Sequence, residues 1–117
     1  MSFKVLVCGG RDFANAHALF YYLDYLNATR PITCIVHGGA KGADTLAGQW
    51  AQSRNVSVEV YPAEWKKYGK AAGPMRNKRM LEEAKPNYVV AFPGGPGTKN
   101  MVRLAREAGV LLWEVDA

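Results

Sequence analysis

Cysteine is scarce in this sequence of 117 residues, which contains only Cys8 and Cys34. Two cysteines are too few for a disulfide framework, and neither belongs to a Cys-x-x-Cys pair or a Cys/His cluster. The sequence therefore indicates no structural metal and no resident cofactor. Both cysteines lie in apolar, strand-like runs, so we expect reduced thiols in the core of a cytoplasmic protein.

Long hydrophobic runs are also missing. No apolar run approaches the roughly 18 residues of a membrane span, so no membrane partner is expected. Residues 1–8 lack the basic and long apolar regions of a signal peptide and are typical of a buried strand. The composition, 49% hydrophobic and 21% charged, is that of a globular chain, and the length predicts a single domain, residues 1–117.

Acidic residues are the rarer charge, with 10 against 15 basic residues and a net charge of +5. The whole excess falls in residues 64–80, where six basic residues stand against the single acid Glu64. These basic residues are Lys66, Lys67, Lys70, Arg76, Lys78 and Arg79. Gly69, Gly73 and Pro74 predict that part of this segment is loop, and positive charge on a loop suits an anionic ligand such as phosphate, nucleotide or nucleic acid. The alternative is a solvated lysine face.

Apolar, strand-like runs alternate with amphipathic stretches of helical length along the chain. The predicted strands cover residues 3–8, 32–37, 56–61, 88–92 and 110–115. The predicted helices cover residues 15–28, 43–54, 74–84 and 99–108. This alternation predicts an α/β sandwich of three layers, whose five strands form a mostly parallel sheet. The strands are apolar throughout, as expected where helices cover both faces of the sheet.

Glycine clusters in three of the four strand-to-helix turns. They read GGRDF at residues 9–13, HGGAKGAD at residues 37–44 and PGGPGT at residues 93–98. In the strand order 3-2-1-4-5, the first and last of these turns face each other across one crevice at the carboxyl ends of the strands. Glycine lets backbone N–H groups approach a phosphate, and the following helix N-terminus attracts its charge. The alternative is that these glycines only serve tight turns, with Asp12 or Asn15 capping the first helix and Thr98 the fourth.

Standard nucleotide motifs fit this chain poorly. A P-loop requires a Gly-Lys-Ser/Thr sequence, whereas Lys41 here precedes Gly42. The dinucleotide fingerprint GxGxxG fails because Asn100 stands where its last glycine is required. ATP hydrolysis by a P-loop and NAD binding by that fingerprint are therefore disfavoured.

Five motifs in series nevertheless resemble one known family. The three glycine-rich turns are joined by PAEW at residues 62–65 and GPMRN at residues 73–77. Together they resemble the YspA-type, cpYpsA-related family of the SLOG superfamily, which also holds the Lonely Guy phosphoribohydrolases and the Smf/DprA DNA-processing proteins. The resemblance implies a Rossmann-like fold and a nucleotide-derived ligand held by the PGGxGT turn. For this branch it implies sensing or processing of nucleotide derivatives, such as those related to NAD or ADP-ribose.

One departure limits what the resemblance carries over. Lonely Guy enzymes have the sequence PGGxGTxxE, whose glutamate serves the cleavage of an N-glycosidic bond. Met101 stands at that position here, and methionine can neither accept a proton nor stabilise an oxocarbenium ion. Phosphoribohydrolase activity of this type is therefore disfavoured, and no catalytic residue is assigned. Asp12, Asp44 or Glu64 could supply a different acid or base.

The candidate ligand-binding residues come from the three turns and from the start of the third predicted helix. They are Gly9, Gly10, Arg11, Asp12, Gly38, Gly39, Lys41, Gly42, Asp44, Arg76, Asn77, Gly94, Gly95, Gly97 and Thr98. The amides of residues 94–98 are expected to cradle a phosphate, with the Thr98 hydroxyl as a further donor. Arg11 is either a phosphate clamp or a surface ion-pair partner, and Asp44 either bonds a ribose hydroxyl or stabilises a helix N-terminus.

The remaining candidates also have two interpretations each. Arg76 and Asn77 are expected to close over the ligand, although Arg76 could be an ordinary solvated arginine. Lys41 either contacts phosphate or is surface charge. We interpret His37 as a hydrogen-bonded structural residue rather than a base. Trp65 could stack on a base, but an anchor between the basic segment and the core is the favoured interpretation.

Three functional hypotheses follow. The first is a binding domain for a nucleotide or nucleotide-sugar derivative, and the second is a hydrolase or glycosidase acting on the same ligands. The third is single-stranded nucleic-acid binding, which the cluster of basic residues suggests, although no known nucleic-acid motif accompanies it. Because superfamily relatives commonly form dimers, a homodimer is also an expectation.

Overall fold

A five-stranded sheet forms the centre of the computed structural model, which describes residues 2–116. The strands are β1 (Lys4–Cys8), β2 (Cys34–His37), β3 (Ser57–Val60), β4 (Tyr88–Ala91) and β5 (Leu111–Glu114). Their order is β3-β2-β1-β4-β5, and each neighbouring pair is parallel. The predicted Rossmann-like order is confirmed. Met1 and Ala117, the ends of the predicted domain, lie outside the described residues.

Helices cover both faces of this sheet. They are α1 (Ala16–Thr29), α2 (Ala43–Ser53), α3 (Trp65–Tyr68), α4 (Ala72–Arg79) and α5 (Pro96–Glu107). A 3-10 turn, Gly69–Ala71, joins α3 to α4, and a π-helical segment, Met80–Ala84, continues α4. Successive residues of β1 point to opposite faces, so that Val5 and Val7 pack with α1 and α2 while Leu6 packs against the residues of α5. The predicted three layers result from this alternation.

The outer strands are less covered than the sequence predicts. Leu111 of β5 is 66% exposed, and Val58 and Val60 of β3 are also exposed. The prediction of full coverage is therefore wrong for the edges of the sheet. Strands β1, β2 and β4 lie between neighbours and are almost wholly buried. A strand at the edge has a neighbour on one side only, and here the helices do not extend over it.

The basic segment is helical rather than a loop. Residues 65–84 run through α3, the 3-10 turn, α4 and the π-helical segment without an extended stretch. Pro74, where the third predicted helix begins, lies in the first turn of α4. Backbone N–H groups in a first helical turn have no partner within the helix, so proline, which lacks this group, is tolerated there. Among residues 2–116, no helix has the length and apolar character required to cross a membrane.

Two helix starts decide between the predicted caps. Asn15 caps α1, because its Oδ1 accepts a hydrogen bond of 3.0 Å from the Ala18 amide. Thr98 caps nothing, since α5 begins at Pro96 and Gly95 is the capping residue. The predicted start of this helix at residue 99 is therefore three residues late. The shift places Gly97 and Thr98 in the first helical turn.

Candidate functional site

The three glycine-rich turns meet at the carboxyl edge of the sheet. The amide of Gly10 donates to the Pro93 carbonyl at 2.9 Å, which joins the turn after β1 to the turn after β4. The Gly10 carbonyl accepts from the Ala43 amide at 3.2 Å, which joins it to the start of α2. The approach at Gly94 is close, because a Cβ there would stand 2.6 Å from the Gly10 nitrogen. The predicted convergence of the turns is therefore present in the fold.

A cleft of about 970 Å³ opens between these turns and helix α4. That volume is at the upper end of the range of small-molecule sites. The predicted residues that line it are Gly9, Gly10, Arg11, Asp12, Asp44, Arg76, Asn77, Gly94, Gly95, Gly97 and Thr98. The first and last turns supply most of this lining, so the crevice lies at the switch point between β1 and β4.

A second, smaller cavity of about 280 Å³ adjoins the cleft. Gly38, Gly39 and Lys41 of the second turn line this cavity and not the cleft. Arg11 and Arg76 line both spaces. Of the predicted site residues, Gly42 lines neither, because it packs directly against the backbone of the first turn. In the second turn, Gly38, Gly39 and Lys41 therefore line a cavity, whereas Gly42 packs against the first turn.

The first turn of α5 presents unused backbone donors to the cleft. The amides of Gly95, Gly97 and Thr98 have no acceptor within residues 2–116, and Pro96 has no N–H to satisfy. A Cβ built on Gly95 or Gly97 would meet no atom within 4 Å, so packing does not require glycine at either position. Unpaired N–H groups at the positive end of a helix attract anions. This part of the cleft is suited to a phosphate.

Asp44 holds the second turn in place. Its Oδ2 accepts hydrogen bonds from the Gly38 amide at 3.0 Å and the Ala40 amide at 3.2 Å, and the residue is only 7% exposed. Burial raises the pKa of this carboxyl, while the two amides and the nearby Arg76 charge act in the opposite direction. The other oxygen, Oδ1, has no donor among residues 2–116, and Asp44 lines the cleft. Asp44 also lies in the first turn of α2, as its predicted role at a helix N-terminus requires, and its Oδ1 remains available for the predicted bond to a ribose hydroxyl.

Arg76 is partly buried and is not the ordinary solvated arginine of the alternative interpretation. Its Nη1 donates to the Gly38 carbonyl at 2.8 Å, and its Nε donates to the Asn77 side chain at 3.0 Å. Burial lowers the pKa of the guanidinium. Its Nη2 has no acceptor within the described residues 2–116, so one edge of the group is available to a ligand.

Asn77 positions the first turn of α5. The side chain is 5% exposed, and its Nδ2 donates to the Gly97 carbonyl at 3.2 Å and to the Asn100 side chain at 2.9 Å. Its Oδ1 is the acceptor for Arg76. Asn77 thus forms a bridge between α4 and α5, and because it also lines the cleft, its closure over a ligand stays a prediction. Asn100 completes this bridge, and sequence reasoning did not select it because no motif residue marks the contact.

Trp65 lies at the boundary of the two cavities. Its ring is 46% exposed and lines both spaces, so the favoured interpretation as an anchor on the core is wrong. The Arg11 guanidinium lies 5.5 Å from the ring centroid, a cation–π contact. Arg11 forms no ion pair with any residue between 2 and 116, which removes its predicted alternative as a surface ion-pair partner.

The basic segment contributes little to the site. Of its six basic residues, only Arg76 lines either cavity. Arg79 lies 3.6 Å from Glu83 and stacks over Tyr61, while the Lys67 ammonium lies 5.1 Å from the Tyr68 ring centroid. The basic residues that line the cavities are therefore Arg11, Lys41 and Arg76, of which only Arg76 belongs to the predicted cluster of positive charge.

Some residues that line the cleft were not among the candidate ligand-binding residues. Phe13 packs against Phe92 at 5.2 Å between ring centroids, and it forms part of the cleft wall. Cys8 also lines the cleft, and burial raises the pKa of its thiol to about 12, so it remains protonated at neutral pH. Met101 is fully buried in the core between the sheet and α5, on the face to which Leu6 points. The residue at the position of the Lonely Guy glutamate, Met101, therefore packs in the core.

His37 is a structural residue, as predicted. It is 7% exposed, and its Nδ1 accepts a hydrogen bond of 2.9 Å from the Gly39 amide. Burial lowers the pKa of the imidazole below its usual 6.5, an effect opposed by the Asp44 charge and reinforced by Arg76. A protonated imidazole could not accept the Gly39 hydrogen bond at Nδ1. The neutral form is therefore the one that supports the second turn.

The pH dependence of folding is expected to reveal this preference. Below about pH 6.5 the unfolded chain protonates His37 before the folded chain does, so stability is lost as the pH falls towards the folded pKa. We expect the Tm to drop between about pH 7 and pH 5. The drop should be smaller in His37→Gln, whose amide oxygen can still accept from Gly39. The exposed His17→Gln serves as the control and should retain the full drop, and an equal effect of both variants would contradict the assignment.

The fold and the cleft together define an α/β protein of the Rossmann-like type with a ligand-sized crevice at its sheet switch point. Residues 3–68, more than half of the chain, match the sequence model of the YspA, cpYpsA-related SLOG family, and the chain belongs to this family. It is also 36% identical over 115 residues to the gene 61 protein of Mycobacterium phage D29, covering 92% of this chain and 91% of that protein. Membership is consistent with nucleotide-related binding or processing.

Proposed function

We propose that this protein binds a nucleotide or nucleotide-sugar derivative in the cleft, with a phosphate at the N-terminus of α5. The observation that carries the proposal is the set of unused amides of Gly95, Gly97 and Thr98 beside an open space of ligand size. Residues 93–98 then act as a phosphate-binding loop. Backbone donors at a helix N-terminus bind phosphate without the lysine of a P-loop.

Arg11 supplies a side-chain donor for the same phosphate. It is exposed, and its contact with Trp65 is a cation–π interaction that a phosphate can replace. A guanidinium forms two parallel hydrogen bonds to phosphate, which are stronger than bonds between neutral groups. We infer that Arg11 moves from the Trp65 ring to the bound phosphate, which leaves the ring available to stack on a base.

Binding without turnover is the first form of the proposal. The Cys8 thiol is protonated, Met101 is buried in the core, and His37 is engaged by the backbone of the second turn. A hydrolase is the second candidate, because the buried Asp44 combines a raised pKa with one oxygen that lacks a donor within residues 2–116. Such a carboxyl is suited to general acid or base chemistry. Nucleic-acid binding has less support, since Arg76 alone of the basic segment reaches the cleft.

A titration with product analysis tests both candidates. The protein is mixed with nucleoside 5′-monophosphates, NAD and ADP-ribose, the heat of binding is recorded, and each mixture is then separated by chromatography. Saturable binding with unchanged ligand supports the binding domain. Product formation that Asp44→Asn abolishes supports the hydrolase. If no ligand in the series binds and native mass spectrometry finds no nucleotide carried through purification, the proposal is wrong.

Gly97→Ala is expected to separate ligand binding from folding. Gly97 is the second residue of α5 and has open space around it, so alanine should raise the free energy of unfolding by about 0.5 kcal/mol. The added methyl group would occupy the surface on which we place the phosphate, and we expect the affinity for the ligand to fall by roughly tenfold. Denaturant unfolding and titration calorimetry measure the two effects. A variant that is more stable and binds as well as the wild type would place the phosphate elsewhere.

A further inference from the structure

The smaller cavity has a charged lining of one sign. Its charged residues are Arg11, Lys41 and Arg76, and its other side-chain walls are the apolar Pro62, Ala63 and Trp65 with the turn residues Gly38, Gly39 and Ala40. Among residues 2–116, no carboxylate lines this cavity, whereas Asp12 and Asp44 line the cleft. A small space with three cations and no acid favours an anionic group.

The two arginines at the boundary of the cavities are not engaged in salt bridges within the described part of the chain. Within residues 2–116, neither Arg11 nor Arg76 forms an ion pair. After burial, which lowers the pKa of Arg76, the Asp44 carboxylate raises this pKa and the charge of Arg11 lowers it by less, so the two guanidiniums repel each other beside one carboxylate. The Asp44 carboxylate, which lines the cleft and not the smaller cavity, counteracts this repulsion at Arg76, and an anion between the cations would add to that effect.

The second turn leaves few backbone donors for that anion. The amides of Gly38 and Ala40 are used by Asp44, and the amide of Gly39 is used by His37. The anion must therefore be held mainly by side chains, which differs from the backbone cradle at α5. Lys41 is exposed at the rim of the smaller cavity. Unlike Arg11 and Arg76, which line both spaces, it lines the smaller cavity and not the cleft.

We propose that the smaller cavity is a second anion subsite for the same ligand, held by Lys41 and Arg76, with Arg11 between this anion and the phosphate at α5. The two spaces share Arg11, Ala40, Trp65 and Arg76, so one molecule can extend from the cleft into the smaller cavity. The ligand class is then a nucleotide with two phosphates, one at the N-terminus of α5 and one at Lys41. This inference rests on the proposed function and narrows it.

The test compares ligands that differ by one phosphate. The 5′-monophosphates of adenosine, guanosine, cytidine and uridine are titrated beside the corresponding 5′-diphosphates and 3′,5′-bisphosphates. For the base that binds, we expect the second phosphate to increase affinity by roughly tenfold, which is the contribution of one charge-assisted contact. The series also shows whether the second phosphate adjoins the first or lies across the ribose, since either the diphosphate or the bisphosphate will show the gain.

Two variants assign that gain to the smaller cavity. Lys41→Gln should reduce the ratio of affinities to about threefold or less, because one of the three cations is lost. Lys70→Gln removes the same charge from an exposed position outside both cavities and should keep the wild-type ratio. Equal affinities for one and two phosphates in the wild type, or an equal effect of both variants, would overturn the subsite while leaving nucleotide binding intact. If no monophosphate or doubly phosphorylated nucleotide binds, the proposed function fails as well.

Discussion

Replacing Gly42 with alanine is expected to lower the free energy of unfolding by roughly 3 kcal/mol, the sum of a strained backbone and a steric clash. Gly42 has a φ of 76°, in the left-handed region that residues with a Cβ disfavour. A Cβ at this position would collide with the Gly10 carbonyl oxygen and would stand 2.6 Å from the Arg11 carbonyl oxygen. Both obstacles are backbone atoms, so a change of side-chain rotamer cannot remove them.

The first turn has little freedom to move away from such a methyl group. The Gly10 carbonyl accepts from Phe13 and Ala43, each at 3.2 Å, and the Gly10 amide donates to Pro93 at 2.9 Å. A displacement of Gly10 would therefore disturb both of the turns that border the cleft. We expect Gly42→Ala to weaken ligand binding also, at temperatures where the variant is still folded.

Gly109 provides the matched control for Gly42. Its φ is 71°, almost the same as that of Gly42, but a Cβ there would meet no atom within 4 Å. Gly109→Ala should therefore show only the backbone strain, about 1 kcal/mol. Denaturant unfolding of the two variants separates strain from collision. Equal losses of stability would mean that the turn after β1 yields to the methyl group.

Changing Asn77 to aspartate is expected to cost about 3 kcal/mol, although the two side chains have the same shape. The Nδ2 of Asn77 donates to the Gly97 carbonyl and the Asn100 side chain, and a carboxylate would place an acceptor against both acceptors. The side chain is buried, so water cannot compensate for the lost donors. Its remaining favourable contact would be the one with Arg76.

The size and pH dependence of this loss identify its cause. A protonated carboxylic acid can donate one hydrogen bond, so the destabilisation by Asn77→Asp should shrink as the pH is lowered towards 4. Asn87→Asp is the control, because Asn87 is exposed and its Oδ1 only accepts, from the Lys4 amide at 2.8 Å. That variant should lose less than about 1 kcal/mol. Similar losses at both positions would show that the bridge from α4 to α5 contributes little.

Much of the fold could be predicted because apolar, strand-like runs and amphipathic stretches of helical length alternate regularly along the sequence. Apolar runs such as residues 3–8 and 88–92, separated by stretches of helical length, leave few arrangements other than a parallel sheet with crossovers. Turns that follow parallel strands lie at one edge of the sheet, so the meeting of the turns at residues 9–13 and 93–98 follows from the strand order. The edges of the site were therefore predictable from spacing alone.

The contacts inside the site were not predictable in the same way. Asn77, Arg76 and Asp44 are predicted ligand contacts, and each also uses polar atoms to hold a turn or a helix, which the sequence does not predict. Trp65 was assigned to the core and lies between two cavities. Spacing along a helix or strand specifies the face on which a side chain lies. It does not specify which partner from another element that side chain meets.

By itself, the sequence determined the alternation of strands and helices, the glycine-rich turns that follow three strands and the absence of a glutamate at position 101, because each depends on residues near in the chain. Tertiary structure alone decided which donors remain unused. The amides at the start of α5 have no partner within the helix, as in any first helical turn, and tertiary structure decided that no side chain of residues 2–116 caps them. The free edge of Arg76 likewise depends on the distant Gly38 carbonyl. Hydrogen-bonding capacity is shared among groups that folding brings together, and its distribution is a property of the whole chain.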